Sequence, residues 1–140
     1  MKPIKDQTGA VLMEFVLVLP LLLLLLFASI EFGVAFFNKA MITNASREGA
    51  RAGIVYNEPA RLTIDEIRTI AKDYCETHLI TFGDASADDL KIKPLREGDE
   101  PGDNLTVTVE YDYDFLVIPN FIPGFDPSIT LTGVSVMRNE

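Results

Sequence analysis

Gly9, Ala10 and Glu14 are the residues of this 140-residue chain whose types and spacing could carry chemistry. Glu14 is one acid at the head of an apolar run, and Val16 to Ile30 follows it without a charge. An ionised carboxylate in hydrocarbon costs at least about 2.5 kcal/mol on insertion scales, so it needs a partner. The nearest cation that could be made is a new α-amino group. Hydrolysis of the Gly9–Ala10 peptide bond would make Ala10 the N-terminus, one helical turn from Glu14. The chemistry indicated is therefore done to this chain: a cleavage, then the pairing of two charges inside lipid.

Chemistry done by the chain is not indicated. No metal-ligand cluster, phosphate-binding glycine loop or catalytic-triad spacing is present, so the expectation is a non-enzyme without cofactor or metal. His78, the one histidine, falls near a helix end with no nucleophile constellation around it, which reads as structural. Cys75, the one cysteine, cannot close an internal disulfide. It is either a small buried apolar side chain or an intermolecular thiol. Glu97 to Asp103 packs acids into a turn that is either a solvated loop or a calcium loop, although it lacks the alternating ligand spacing of a dedicated site.

The element that must position Glu14 is a membrane-length helix. Ala10 to Ile30 is 21 residues, and at about 1.5 Å per residue this covers roughly the 30 Å hydrocarbon core. Lys2 and Lys5 precede it, so the N-terminus is expected in the cytoplasm and the C-terminal part outside. Ala28-Ser29-Ile30 makes a poor secretory cleavage site, and the helical pattern runs through it. Pro20 inside the run is expected to bend or loosen the helix. The net charge of -9 divides as +1 over residues 1–9, zero over residues 10–53 and -10 over residues 54–140. An acidic exported part without a basic patch excludes nucleic acid as a direct partner and leaves membrane lipid as the partner of the apolar run.

The helix should continue well beyond the membrane, over residues 10–56 in all, until Asn57-Glu58-Pro59 ends it. Ala45, Gly49 and Gly53 recur every four residues and stack on one face. Such a stripe admits a close neighbour, either the chain's own domain or a helix of another subunit. Thr63-Ile64-Asp65-Glu66 is a capping-box signature that opens a second helix to about Ile80, with Ile67, Ile70, Ala71, Tyr74 and Cys75 along one face. Leu90 to Leu95 reads as a short edge strand limited by Pro94. Leu105 to Phe115 alternates strictly, with one face buried. Ile129 to Met137 is a further strand whose apolar parity switches at Gly133, which predicts a bulge. The connection Val117 to Phe125 is too apolar for an idle loop; it either folds back as core or forms a patch for a partner or the outer leaflet. The fold class expected is α+β: a long N-terminal transmembrane helix extending into a small exported domain, with a second helix and a roughly three-stranded antiparallel sheet. Residues 57–140 form the exported acidic part.

Gly9 with Glu14 five positions later and an apolar helix resembles a prepilin of the type IV pilin superfamily. Met13-Glu14-Phe15 through Pro20, then Ile30-Glu31-Phe32-Gly33, then Asn44-Ala45-Ser46-Arg47-Glu48-Gly49-Ala50-Arg51-Ala52-Gly53 resembles TadE-like proteins, the minor pilins or pseudopilins of tight-adherence (Flp) pilus systems. The resemblance is strong over residues 9–53 and at Val136 to Glu140, and weak between. It implies removal of the leader, residues 1–9, by a prepilin peptidase acting between Gly9 and Ala10. It implies that Glu14 meets the N-terminal amine of a neighbouring subunit, and that the partners are other pilin subunits and the Tad assembly platform. It implies a single-pass protein of the bacterial cytoplasmic membrane that joins an extracellular pilus. Major Flp pilins are much smaller, so the large acidic domain implies a minor, tip or initiating role. The alternative is a membrane-anchored binding or sensory module that is never processed.

Overall fold

The computed structural model describes residues 8–56, 60–81, 90–116 and 128–140. The elements are α1 (Thr8–Ile54), α2 (Ile64–His78), β1 (Lys91–Arg96), β2 (Asn104–Asp114) and β3 (Ser128–Arg138). The fold is α+β, with both helices ahead of a three-stranded antiparallel sheet of order β1-β2-β3.

α1 is 47 residues long and runs through Pro20 as one helix, about 70 Å at the usual rise. Its two halves live in different surroundings. Side chains 11–27 are all exposed, whereas from Glu31 onward a narrow stripe is buried. Glu31, Ala35, Asn38, Ile42, Ala45, Ser46, Gly49 and Gly53 recur at intervals of three and four, the period of one helix face. Most of these are small, so the helix backbone lies close to what it packs on. α1 ends at Ile54 under two guanidinium groups: Arg96 Nη2 donates to the Gly53 carbonyl at 2.8 Å, and Arg61 Nη1 donates to the Ile54 carbonyl. These satisfy carbonyls that a helix C-terminus leaves without intrahelical partners. Asn57-Glu58-Pro59, the expected stop, lies outside the described residues.

α2 opens with the expected capping box. The Thr63 hydroxyl accepts from Glu66 N at 3.3 Å, and Thr63 N donates to the Glu66 carboxylate at 2.7 Å. Its buried face is Ile67, Ala71 and Cys75, packed on α1. The helix ends at His78, slightly before the expected Ile80. His78 stacks on Tyr74 with ring centroids 4.2 Å apart, and its Nδ1 lies 2.8 Å from the Tyr74 carbonyl.

β2 is the central strand and buries Leu105, Val107, Val109, Tyr111 and Tyr113 beneath the helices, as strict alternation dictates. β1 is a short edge strand in which Pro94 stands opposite Val107, and among the described residues no further strand needs its missing donor. Across β2, Lys91–Asp112 and Lys93–Glu110 pair on the outer face at 3.0 and 2.9 Å.

β3 corrects one expectation. Its ladder with β2 runs unbroken from Asn104–Arg138 to Asp114–Ser128, and Gly133 stands directly opposite Val109 without a bulge. The parity switch has another cause. The odd-numbered residues of β3 face α1 throughout, and at Gly133 the helix backbone itself fills the space a side chain would take. A Cβ there would sit 2.7 Å from the Ile42 carbonyl oxygen and 2.9 Å from Thr43 Cα. The next inward position, Ser135, is polar, and its hydroxyl meets that of Ser46 at 3.0 Å inside the interface. Val134 and Val136 face outward, 52% and 60% exposed. The apolar valines that suggested a change of face are therefore solvent-side residues of a regular strand.

Candidate functional site

The sequence-predicted residues fall in two places on α1. Gly9 and Glu14 lie at its N-terminal end, both exposed and helical. The described part of α1 opens at Thr8, so the Gly9–Ala10 bond lies within helix. Glu14 shares a shallow apolar depression with Val11, Phe15 and Val18, about 260 Å³ in volume. It forms no ion pair with any described residue. The described side chains beside that carboxylate are apolar, so an ionised Glu14 in lipid would need a cation from elsewhere.

Ala45, Gly49 and Gly53 lie about 45 Å or more further along α1 at the usual rise. They face the chain's own domain. A Cβ at Gly49 would be in ordinary contact with Ala71 and Ile67 of α2, the nearest atom 3.4 Å away. At Gly53 it would meet the ends of Leu105 and Ile67 at 2.5 and 2.6 Å. Ala45 is fully buried. The opposite, open side of this stretch carries Arg51 and Glu48, paired at 2.8 Å. The hydrogen bond from Arg51 holds the Glu48 carboxyl below the usual carboxylate range, although burial opposes it.

Between these two places is a third group that local sequence reasoning missed. Glu31 stands where α1 first meets the sheet, and only 5% of it is exposed. Its carboxylate accepts from Leu116 N, just past β2. Its own carbonyl accepts from the Tyr113 hydroxyl at 3.5 Å. Burial, with the Glu31 charge and Tyr111 adding to it, raises the Tyr113 phenol above its ordinary value. Phe115 then packs edge-on against Phe32, with centroids 5.7 Å apart. About two turns after Glu31, Asn38 is wholly buried, donating to the Ile80 carbonyl at 2.7 Å and accepting from Ile80 N at 2.9 Å. The signal that could have found Glu31, Asn38 and Ser46 was polarity on the helix face that also holds Ala35 and Ile42.

The acidic turn before β2 is closed on itself. Glu100 N donates to the Asp103 carboxylate at 3.0 Å, and Asn139 Nδ2 donates to the Gly98 carbonyl at 2.9 Å. Gly102 takes φ +97, the left-handed region that glycine tolerates. No group of three or more metal-ligating side chains that could hold an ion occurs among the described residues. The apolar connection 117–125 lies outside them.

α1 is the helix long and apolar enough to cross a membrane, and none of its most apolar window is buried in the domain. α1 thus joins a bare, acid-bearing N-terminal half to a domain-packed C-terminal half. Residues 9–51 match the family model of TadE-like proteins. No curated protein and no solved structure matches the chain. The TadE-like segment begins at Gly9 and includes Glu14, Glu31, Asn38, Ala45 and Gly49, but stops before Gly53, α2 and the sheet.

Proposed function

We propose that this chain is a minor pilin, or pseudopilin, of a Tad-type pilus. A prepilin peptidase removes residues 1–9 by cutting between Gly9 and Ala10. The mature chain waits in the cytoplasmic membrane with its N-terminus inside and its acidic domain exported. It then enters or initiates the pilus through the Tad assembly platform and other pilin subunits.

The observation that carries this reading is Glu14, exposed on a bare apolar helix without a described partner, inside a TadE-like segment that starts at the proposed cleavage site. Cleavage supplies the missing cation. The new Ala10 amine of a neighbouring subunit can neutralise the Glu14 carboxylate, removing two charges that hydrocarbon penalises and fixing the axial register of adjacent helices. The stripe of small residues is used within the chain, to seat the domain on α1, which leaves the exposed N-terminal half as the surface for other helices.

Two variants test the reading. Gly9→Ala should leave the leader attached, and Glu14→Gln should be cleaved but assemble poorly. Pili that form normally from Glu14→Gln chains would refute the pairing role. Pili that form from uncleaved chains would favour the anchored binding module.

A further inference from the structure

Beyond that function, and resting on its membrane topology, we propose that the base of the exported domain is seated in the outer headgroup region of the bilayer, with Lys39 rather than Glu31 marking where α1 leaves the lipid. The sequence places its first charge after the apolar run at Glu31, which would end the membrane segment there. The fold removes that charge from the helix surface. Glu31 turns into the domain and is held by Leu116 N. The next charged side chain on α1 is Lys39, exposed and donating to the Thr132 carbonyl on β3.

The surface of α1 is therefore uncharged from Glu14 to Lys39. That separation is about 38 Å of helix, against about 30 Å of hydrocarbon and 40–45 Å for the bilayer with its headgroups. A typical tilt of about 20° shortens the span to about 35 Å and still leaves at least about 5 Å beyond the hydrocarbon, because Glu14 itself lies within it.

The surface at that level carries an apolar patch on both the helix and the domain, bordered by the exposed Asp114 at the end of β2. Phe36 is 73% exposed, with Phe32 at 48% and Phe37 at 41%. Leu116 and Ile129, at the ends of the β2–β3 connection, are exposed beside them. Phe32, Ala35, Phe36, Ile129 and Leu131 line a groove of about 370 Å³ between α1 and β3, and Lys39, Thr130 and Thr132 complete its lining. This patch is continuous with the bare membrane-length helix below it, so the occupant that fits is the same one: the lipid of the outer leaflet. Apolar faces of interfacial elements sink about 5–10 Å into the boundary between headgroups and acyl chains, which matches the excess length.

The chain has no tryptophan, so single substitutions give unambiguous depth probes. Leu24→Trp, Phe36→Trp, Leu116→Trp and Val136→Trp are placed in the full chain and reconstituted at high dilution in phosphatidylethanolamine–phosphatidylglycerol vesicles containing brominated lipid. All four positions are exposed in the domain or on the bare helix, and protection of Cys75 from alkylation verifies that each variant is folded. Leu24→Trp, Phe36→Trp and Leu116→Trp should lose emission to bromine, while Val136→Trp should not. If Leu24→Trp is quenched and both Phe36→Trp and Leu116→Trp emit as in water, the domain stands clear of the bilayer and the proposal fails alone. Blue-shifted but unquenched emission from those two would show that protein covers the patch, which also overturns it. Loss of quenching at Leu24→Trp would overturn the membrane topology itself.

Discussion

Gly133 on β3 lies against the Ile42 carbonyl of α1 so closely that a methyl group in its place would sit 2.7 Å from the oxygen. Three glycines at the helix–domain interface therefore differ in what an alanine would meet. At Gly133 the obstacle is backbone. At Gly53 it is the ends of Leu105 and Ile67, and at Gly49 it is ordinary contact. Gly133→Ala should cost about 1–3 kcal/mol, the range of overpacked cores. Gly53→Ala should cost less, because two side-chain ends can rotate. Gly49→Ala should be neutral or stabilising by up to about 1 kcal/mol through helix propensity. Urea titration of the full chain, read by Cys75 alkylation, gives the order. Equal costs at all three positions would contradict the close approach at β3.

Asn38 predicts a loss of a different kind. Its amide satisfies both the N–H and the carbonyl of Ile80. Asn38→Ala leaves both without that partner, at about 1–3 kcal/mol for buried groups stripped of their hydrogen bonds. The same titration should show a lower urea midpoint, with faster exchange of the Ile80 amide. An unchanged midpoint would mean that water replaces the side chain at no cost.

Acid should weaken the fold through its lowered carboxylates, Glu48 beside Arg51 and two on the domain. Backbone and hydroxyl hydrogen bonds from Thr63 hold Glu66 below the usual range. Hydrogen bonds from Thr130 and then Lys91 do the same for Asp112. A folded-state pKa below the unfolded one gives stability that is present above the unfolded pKa, about 3.9 for Asp and 4.3 for Glu, and is lost as pH falls through the folded pKa. The urea midpoint should therefore decline below about pH 4. It should decline less in Glu66→Gln and Asp112→Asn. An acid limb unaltered by both substitutions would exclude these two groups as its source.

Cys75 should be inert while the domain is folded. It is fully buried, and burial, with a smaller contribution from Glu76, pushes its thiol up to about 11. The thiolate is the reactive form, so alkylation at pH 8 should follow unfolding rather than reagent concentration. Rapid labelling of the native chain would show that α2 opens locally.

Much of the fold was legible because its determinants are local. The Thr63–Glu66 box sets the start of α2 with two side chains three residues apart, and the alternation from Leu105 to Phe115 fixes which face of β2 is buried. Sequence reasoning failed where the deciding partner is far along the chain. The parity switch at Gly133 looked like a bulge because the atoms that fill the missing side chain belong to Ile42 and Thr43. Glu31, Asn38 and Ser46 drew no structural role because Leu116, Ile80 and Ser135 are 42 to 89 residues away. Glu14 was legible for the opposite reason: the cost of an acid in an apolar run depends on that run alone.

Whether the leader is removed is read from the first residue of the mature chain, by mass spectrometry of membrane protein from cells with and without an active prepilin peptidase. A chain beginning at Ala10 is expected when the peptidase is active, and one beginning at Met1 when it is absent. A wild-type chain that still begins at Met1 in peptidase-active cells assembling pili would contradict that removal.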